Sequence, residues 1–335
     1  MTDAIHNRDD FSRMETTPQS QLNRNFSKPD VSMNSPEARP KLSVVVVCYE
    51  MAAQIKNTLQ TLLPPYQRNI SIDEYEIILI DNGSAKILDE CTRKISPNLD
   101  YIYLSPNESS PSPAAAMNRG VALSRAPRLC LMIDGARLVT PGVLSWGMRL
   151  LELSPRAMVE VRGWHLGPKW QPESVMEGYD LEQERELLES VCWPENGYRL
   201  WEIAAATHQT HSGFSAKIAE SNCIFMSRDL FFETGGFDER SRAPGGGFVN
   251  ADFFSRAVAA ADRVFTLLGE GTFHQMHGGA ATGLAKPRLQ QKLKQWRAES
   301  EALGQVIGPD YEFILAGHMP LECASWLARN AAASA

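Results

Sequence analysis

The stretch LSVVVVC, residues 42–48, decides the fold class of this chain. β-Branched residues dominate the run, which is typical of a strand covered on both faces. Apolar residues then recur at helical spacing at Ile55, Leu59 and Leu62, and a proline pair beginning at Pro64 stops the pattern. A buried strand followed directly by such a helix indicates a parallel sheet with crossover helices.

The same alternation continues along the chain. Three more apolar runs, residues 75–80, 101–104 and 128–133, read as buried strands, and residues 114–126 read as a helix between them. This rhythm predicts an α/β fold with a doubly wound, mostly parallel sheet. In such a sheet, ligands bind beyond the carboxyl ends of the strands.

Further strands are predicted nearer the C-terminus, one of them at the start of SNCIFMSRDLFFETGGFDE, residues 221–239. Residues 157–164 form another, and residues 263–268 form a third that continues through GEGTFHQMHGG. An insertion at 165–220 breaks the rhythm and carries several tryptophans and histidines. Such an insertion either holds a second substrate or packs as a small separate core, and both alternatives stay open here.

Two acids, Asp81 and Asp134, each follow a predicted strand directly. Because the carboxyl ends of parallel strands share one edge of a sheet, both carboxylates should face a single crevice. One such Asp would most simply cap the turn after it. Two in equivalent places favour a ligand site.

Composition excludes several classes of protein. The chain has 335 residues, 43% of them hydrophobic, and a formal net charge of −7, which argues against a nucleic-acid binder with a basic face. No apolar run approaches the roughly 18 residues that cross a bilayer, and no signal-peptide pattern opens the sequence. Six cysteines stand singly, several of them inside apolar runs, which is typical of reduced core residues. These features predict a cytoplasmic protein and leave its oligomeric state open.

Six motifs in a fixed order resemble family 2 glycosyltransferases of the GT-A fold. They are SVVVVCYE, IDNGSA, SPAAAMNRG, LMIDGARLVTPG, GGFDE and GGFVNADFFSRA, and the resemblance spans residues 42–280. It implies transfer of a sugar from a nucleotide diphosphate to an acceptor hydroxyl, in polysaccharide or glycoconjugate synthesis. The donor that it implies is a UDP-sugar, with GDP- and dTDP-sugars as alternatives. The acceptor that it implies is a carbohydrate or glycoconjugate.

The resemblance also divides the chain. Residues 1–40 are polar and are predicted to be a disordered tail. Residues 41–150 would form the Rossmann-like nucleotide-sugar-binding half of a GT-A domain, and residues 151–280 its acceptor-binding half. Residues 281–335 would be a helical extension.

The family resemblance assigns nucleotide binding to residues at the ends of the strands and in the helix after the third strand. The residues are Val47, Cys48, Tyr49, Glu50, Asp81, Asn82, Asn118, Asp134, Gly135, Ala136 and Arg137. Met117 stands where relatives carry Arg. Arg137 either grips the diphosphate through its guanidinium fork or is a surface charge.

A divalent metal, Mn²⁺ or Mg²⁺, is implied by resemblance, because Asp134 would begin the family's Asp-x-Asp signature. The second Asp usually holds the ion that bridges the donor's phosphates. Ala136 stands in that place, which weakens the expectation of a metal. Relatives also use a histidine near the end of the domain. His274 and His277 either share a metal with Asp134 or are plain polar residues of the loop.

Catalytic residues are expected at the helix after the Gly-rich loop, where inverting relatives carry Glu-Asp with the Asp as general base. Val249 and Asn250 occupy that pair, and Asn cannot take up a proton in a useful pH range. Asp252 is then either the base from a shifted position or the ion-pair partner of Arg256 one turn on. A retaining mechanism would need no base at Asn250.

Acceptor contacts are expected at Asp238 and Glu239 of the GGFDE motif. Ala136 and Asn250 motivate an alternative, a degenerate protein that binds a nucleotide sugar without transferring it. Sugar nucleotidyltransferases and dehydrogenases carry a Gly-rich loop after the first strand, and VCYEMAAQ has none.

Overall fold

The computed structural model describes residues 39–278, residue 284 and residues 286–334. The tail predicted at residues 1–40 therefore lies outside the described residues except for its last two. None of the described helices combines the length and the apolar character that crossing a membrane requires.

The secondary structure alternates between strands and helices through most of the described chain. The strands are β1 (Leu42–Cys48), β2 (Tyr75–Asp81), β3 (Leu99–Tyr103), β4 (Arg128–Met132), β5 (Arg137–Val139), β6 (Ala157–Glu160), β7 (Gly163–Leu166), β8 (Ala204–Ala205), β9 (Ile224–Ser227), β10 (Arg263–Leu268), β11 (Thr272–His274) and β12 (Ile314–Gly317). The helices are α1 (Ala52–Thr61), α2 (Glu90–Arg93), α3 (Ala114–Leu123), α4 (Val143–Leu151), α5 (Gln171–Met176), α6 (Leu181–Ser190), α7 (Arg228–Glu233), α8 (Val249–Ala260), α9 (Lys286–Leu303) and α10 (Leu321–Ser334).

The larger sheet has the strand order β12-β10-β6-β9-β4-β1-β2-β3. β1 pairs in parallel with β2 and β4, β2 with β3, and β10 with both β6 and β12. β9 runs antiparallel to its neighbours β4 and β6. The predicted α/β fold with a mostly parallel sheet is confirmed.

β1 is buried on both faces, as its sequence predicts. Val44 and Val46 pack in the same core as Ile55 of α1, whereas Val45 packs on the opposite face with α3 and α8. Each position of β1 must therefore be compatible with a core, which explains the uninterrupted apolar run. A Cβ at Gly120 of α3 would lie 2.3 Å from Val45 Cγ1, so the missing side chain lets α3 approach the sheet.

Two strand predictions are wrong. Residues 157–164 hold two strands: β6 lies in the larger sheet and β7 lies in a smaller sheet of order β5-β11-β7-β8. The stretch after β10 does not continue that strand, because β11 also joins the smaller sheet. Gly269 makes the break possible: its φ is +78°, and a Cβ there would lie 1.9 Å from the carbonyl oxygen of His318. The apolar pattern predicts that a strand is buried, but it does not predict which of the two sheets the strand joins.

An aromatic core supports the smaller sheet. Trp164 of β7 and Trp201 are fully buried, with ring centroids 4.5 Å apart. Phe273 of β11 lies 5.1 Å from Trp201, and Trp326 of α10 lies 5.6 Å from it. These rings hold β11 in place, and β11 ends in His274.

The insertion at 165–220 thus contributes a separate core, as one of the two sequence alternatives proposes. Trp193 and Trp201 both belong to it. Trp170 is half-buried instead, with its ring 4.0 Å from that of His208, and lines a pocket of about 360 Å³. A role of this pocket in substrate binding stays a prediction.

The segment after residue 280 contributes a strand as well as two helices. β12 pairs in parallel with β10 at the edge of the larger sheet. The indole N–H of Trp326 in α10 donates to the carbonyl of Ala204 at 2.8 Å. The domain boundaries at residues 40 and 280 stay a prediction.

Candidate functional site

A cleft of about 820 Å³ opens where β1 and β4 end. Its walls include the residues after β1, the turn after β2, the acid after β4 and the start of α8. This is the edge at which parallel α/β sheets bind ligands. The volume lies within the roughly 300–1,000 Å³ of small-molecule sites.

Most of the residues assigned to nucleotide binding from the sequence line this cleft. They are Val47, Cys48, Tyr49, Glu50, Asn82, Asp134 and Arg137. Tyr49 is 55% exposed, so its ring is available to stack on a base. Gly135 and Ala136 lie beneath the surface: Ala136 is fully buried, and a Cβ at Gly135 would lie 2.8 Å from the carbonyl oxygen of Val47. Small residues are therefore required here by packing.

Asp134, His274 and His277 converge in the cleft. One ligand atom from each lies within 4.8 Å of the others. His274 Nε2 is 3.1 Å from His277 Nε2 and 3.4 Å from Asp134 Oδ2. The register of the smaller sheet creates this cluster, because β11 places His274 opposite Arg137 of β5, three residues after Asp134.

Gln171 orients His274. Its side-chain oxygen accepts from His274 Nδ1 at 2.8 Å, so Nδ1 carries the proton and Nε2 directs a lone pair into the cluster. Burial lowers the pKa of His274 well below its usual value and also lowers the pKa of His277. Both imidazoles are therefore neutral, which is the form that binds metals.

Arg137 lies beside the cluster and is largely buried. Its Nε donates to Asp134 Oδ2 at 2.9 Å, while its terminal nitrogens have no hydrogen-bond partner among the described residues. Burial would raise the pKa of Asp134, but positive charge beside it lowers the pKa below the usual range, so this carboxylate is ionised; with His274 neutral, that charge is the guanidinium of Arg137. Arg137 lines the cleft and can meet an anion there.

Residues 43–164 match the family model described as Glycosyl transferase family 2. The chain is similar to that family over this segment. Validoxylamine A glucosyltransferase of Streptomyces hygroscopicus subsp. jinggangensis is 29% identical over 96 residues, which cover 29% of this chain and 22% of that protein. The aligned part is thus less than a quarter of the relative's length.

Two solved glycosyltransferase structures share a general likeness with the chain. TarS of S. aureus matches with 13% identity and a TM-score of 0.48, over 78% of this chain and 43% of TarS. The mannosyltransferase PcManGT from Pyrobaculum calidifontis, in complex with GDP-Man and Mn²⁺, matches with 15% identity and a TM-score of 0.43, over 91% and 83% of the two chains. At these TM-scores the likeness assigns no residue a role.

Within the family 2 segment, Asp81 is engaged by the protein itself. The side chain is fully buried, and it does not line the cleft in the described part of the chain. Its Oδ1 accepts from the backbone N–H of Ser84 at 2.9 Å, and its Oδ2 accepts from the hydroxyl of Tyr101 at 2.9 Å. Asp81 therefore caps the turn that presents Asn82 to the cleft, and the geometry does not support contact with a base.

Asn118, also in the family 2 segment, is hydrogen-bonded within the protein on both sides of its amide. It is 2% exposed, outside the cleft. Its Nδ2 donates to the carbonyl of Phe237 at 2.9 Å and to Glu239 at 2.8 Å, and its Oδ1 accepts from Phe237 N–H at 2.9 Å. Asp238, the residue before Glu239, accepts hydrogen bonds from the Arg240 guanidinium through both of its carboxylate oxygens. The two residues assigned to the acceptor therefore lie away from the cleft.

We expect Asn118→Ala to lower the free energy of unfolding by about 2 kcal/mol, because it leaves the buried N–H and C=O of Phe237 unpaired. The affinity for UDP should not change. Urea denaturation and calorimetric titration measure the two quantities. Asn107→Ala, at an exposed loop position, is the control and should change stability by less than about 0.5 kcal/mol. A tenfold loss of UDP affinity at unchanged stability would restore the nucleotide-binding assignment.

The start of α8 separates the two candidate catalytic residues. Asn250 lines the cleft, whereas Asp252 is 1% exposed and points elsewhere. Asp252 Oδ2 accepts from Arg256 Nη2 at 2.7 Å, and Oδ1 accepts from the backbone N–H of Val306 at 3.0 Å. The ion pair with Arg256 is therefore present. Together with the Val306 N–H it occupies both carboxylate oxygens, so Asp252 has no free oxygen to act as a base.

Four residues that contribute to the site have no signal in the sequence analysis. They are Gln171, Glu220, Lys292 and Trp296. Lys292 and Trp296 reach the cleft from α9, with Lys292 Nζ 5.5 Å from the Trp296 ring centroid. None of the four follows a strand of the parallel core, so the strand-end rule could not find them.

Proposed function

We propose that this chain transfers a sugar from a nucleotide diphosphate sugar to an acceptor hydroxyl. The observation that carries the proposal is the convergence of Asp134, His274, His277 and Arg137 in one cleft at the end of β4. The family 2 match of residues 43–164 supports the same class of reaction. The proposed donor is a UDP-sugar, and the proposed acceptor is a carbohydrate or glycoconjugate.

The charges of the cleft suit a diphosphate. The leaving nucleoside diphosphate develops negative charge, and a fixed cation beside it lowers the barrier. Arg137 supplies such a cation, since Asp134 holds its Nε and directs the terminal nitrogens away from the ion pair. Tyr49 and Asn82 lie in the part of the cleft near the ends of β1 and β2, where the base and ribose would bind.

The side chains present also fit a divalent metal. Two neutral imidazoles whose Nε2 atoms lie 3.1 Å apart need a proton or a cation between them, and Asp134 adds an anionic oxygen. Nitrogen and carboxylate ligands together suit Mn²⁺. Asp134, His274 and His277 would hold the ion, which would supply Lewis-acid neutralisation of the diphosphate. On this proposal the two histidines replace the acid that Ala136 lacks.

A donor screen tests the proposed function. UDP-glucose, GDP-mannose and dTDP-glucose are added to the full chain with and without Mn²⁺, and the melting temperature and the release of nucleoside diphosphate are measured. A donor at 100 times its Kd should stabilise the native state by about 2.7 kcal/mol. We expect one donor to bind, more tightly with Mn²⁺, and to be turned over. Binding of none would refute the proposal, and binding without turnover would favour the degenerate binding protein.

A further inference from the structure

Transfer to a hydroxyl needs a group that takes its proton, and neither residue assigned from the sequence can do so. Asn250 carries an amide, and both oxygens of Asp252 are occupied. The acids that line the cleft, among the described residues, are Glu50, Asp134 and Glu220. Asp134 belongs to the proposed metal-binding cluster. Glu50 is exposed beside Tyr49 and accepts the backbone N–H of Ala85 at 2.7 Å, in the part of the cleft where the nucleoside is proposed to bind.

We propose that Glu220 is the general base that deprotonates the acceptor hydroxyl, and that Asn250 positions it. This inference rests on the proposed transferase function. Asn250 Nδ2 donates to Glu220 Oε2 at 3.2 Å. Glu220 Oε1 has no hydrogen-bond partner among the described residues, and the side chain lines the cleft beside Asp134 and Arg137. One carboxylate oxygen is thus fixed by Asn250, and the other is free to accept a proton.

The loop that carries Glu220 is anchored on both sides of the residue. Gln209 Oε1 accepts from the backbone N–H of Ala219 at 2.6 Å. Ser221 Oγ donates at 2.8 Å to the carbonyl of the residue that follows β6, and Asn250 Nδ2 also donates to the carbonyl of Ser221 at 3.1 Å. Because the backbone is held, the carboxylate is positioned before a substrate binds. Asn250 therefore keeps a role at the place where relatives carry the base.

The charged and polar neighbours of Glu220 suit a base. Burial raises the pKa of its carboxyl above the usual value, and Asp134 raises it further. The hydrogen bond from Asn250 and the charge of Arg137 oppose this rise. A base is most effective when its pKa approaches the working pH, and this balance of neighbours acts in that direction.

The proposed step is a single displacement. The proton of the acceptor hydroxyl passes to Glu220 Oε1 while the acceptor oxygen forms a bond to the anomeric carbon of the donor. The bond from that carbon to the phosphate oxygen breaks, and its electron pair leaves with the nucleoside diphosphate. Glu220 then gives the proton to water. Attack from the side opposite the leaving group inverts the anomeric configuration, which is one of the two mechanisms that the sequence leaves open.

Hydrolysis of the donor tests this step without a known acceptor, because water takes the acceptor's place. For whichever of UDP-glucose, GDP-mannose and dTDP-glucose the wild type turns over, nucleoside diphosphate release is measured for Glu220→Gln, Glu220→Asp and the exposed control Glu312→Gln. We expect Glu220→Gln to lower kcat about 10²- to 10⁴-fold with an unchanged Kd for the donor. The kcat of Glu220→Asp should lie between those of the wild type and Glu220→Gln, and the kcat of Glu312→Gln should match the wild type. The wild-type rate should fall as pH decreases through the pKa of the base, and Glu220→Gln should lose this dependence.

Three results would overturn the assignment of Glu220. One is a near-wild-type kcat in Glu220→Gln, and another is a loss of donor affinity that accounts for the lost rate. The third is retention of configuration in the first sugar released, read by proton NMR before mutarotation. A wild type that binds or hydrolyses none of the donors refutes the transferase function itself, so the two failures are distinguishable.

Discussion

We expect Asp134→Asn to abolish the proposed Mn²⁺ binding and to lower the release of nucleoside diphosphate by about 10³-fold. The substitution keeps the shape of the side chain and removes the negative charge from the cluster with His274 and His277. It also removes the charge that pairs with Arg137 Nε, so the fixed cation and the proposed metal are perturbed together. Calorimetric titration with MnCl₂ and the donor-hydrolysis assay measure the two losses.

Two further variants separate the contributions at this site. His274→Ala removes one proposed metal ligand and leaves the Asp134–Arg137 pair intact, so Mn²⁺ affinity should fall about 10- to 100-fold or more. Asp100→Asn, at an exposed position far from the cleft, is the matched control and should leave both measurements unchanged. Undiminished Mn²⁺ affinity in Asp134→Asn would show that the ion binds elsewhere. Full activity in a variant that no longer binds Mn²⁺ would show that Arg137 alone neutralises the diphosphate.

We expect Trp201→Ala to lower the free energy of unfolding by about 3–5 kcal/mol. The side chain is fully buried between Trp164, Phe273 and Trp326, and alanine cannot fill its volume. These contacts also support β11, so the position of His274 at its end should loosen and Mn²⁺ affinity should fall with stability. Urea denaturation followed by circular dichroism measures the first effect, and titration with MnCl₂ measures the second.

Trp170→Ala is the control for this substitution. Its indole is half-buried at the rim of the smaller pocket and lies outside the aromatic core, so the loss of stability should stay below about 1 kcal/mol. If Trp201→Ala proved no more destabilising than Trp170→Ala, the aromatic core would not be what supports the smaller sheet.

Local sequence pattern was enough to predict the first strands of the larger sheet. The predicted strand at residues 42–48 has the bounds of β1, and the one predicted at 75–80 ends one residue early. A strand covered by helices on both faces must be apolar at nearly every position, so its sequence marks it without ambiguity. The acid after β4 was also placed correctly at the cleft, because the strand-end rule depends on topology that the strand–helix alternation already implies.

Pattern failed where the outcome depended on a partner from another part of the chain. Asp81 and Asp134 both lie at the carboxyl ends of their strands, yet a tyrosine 20 residues away engages Asp81 while Asp134 faces the cleft. Asp252 sits at the expected helix start, but a backbone N–H 54 residues away takes one of its oxygens. Glu220 lies in an insertion loop with no motif, and Asn250 brings it to the cleft across 30 residues.

The sequence by itself determined a doubly wound α/β sheet, the edge at which a ligand would bind, and a resemblance to family 2 glycosyltransferases. The tertiary structure alone decided which polar side chains face that ligand. The physical reason is that strand burial follows from the side chains of the strand itself, whereas the availability of a carboxylate or an imidazole depends on donors and acceptors supplied by distant segments. His274 is the clearest case, since the register of β11 against β5 and the hydrogen bond that its Nδ1 donates to Gln171 together direct the Nε2 lone pair into the cluster.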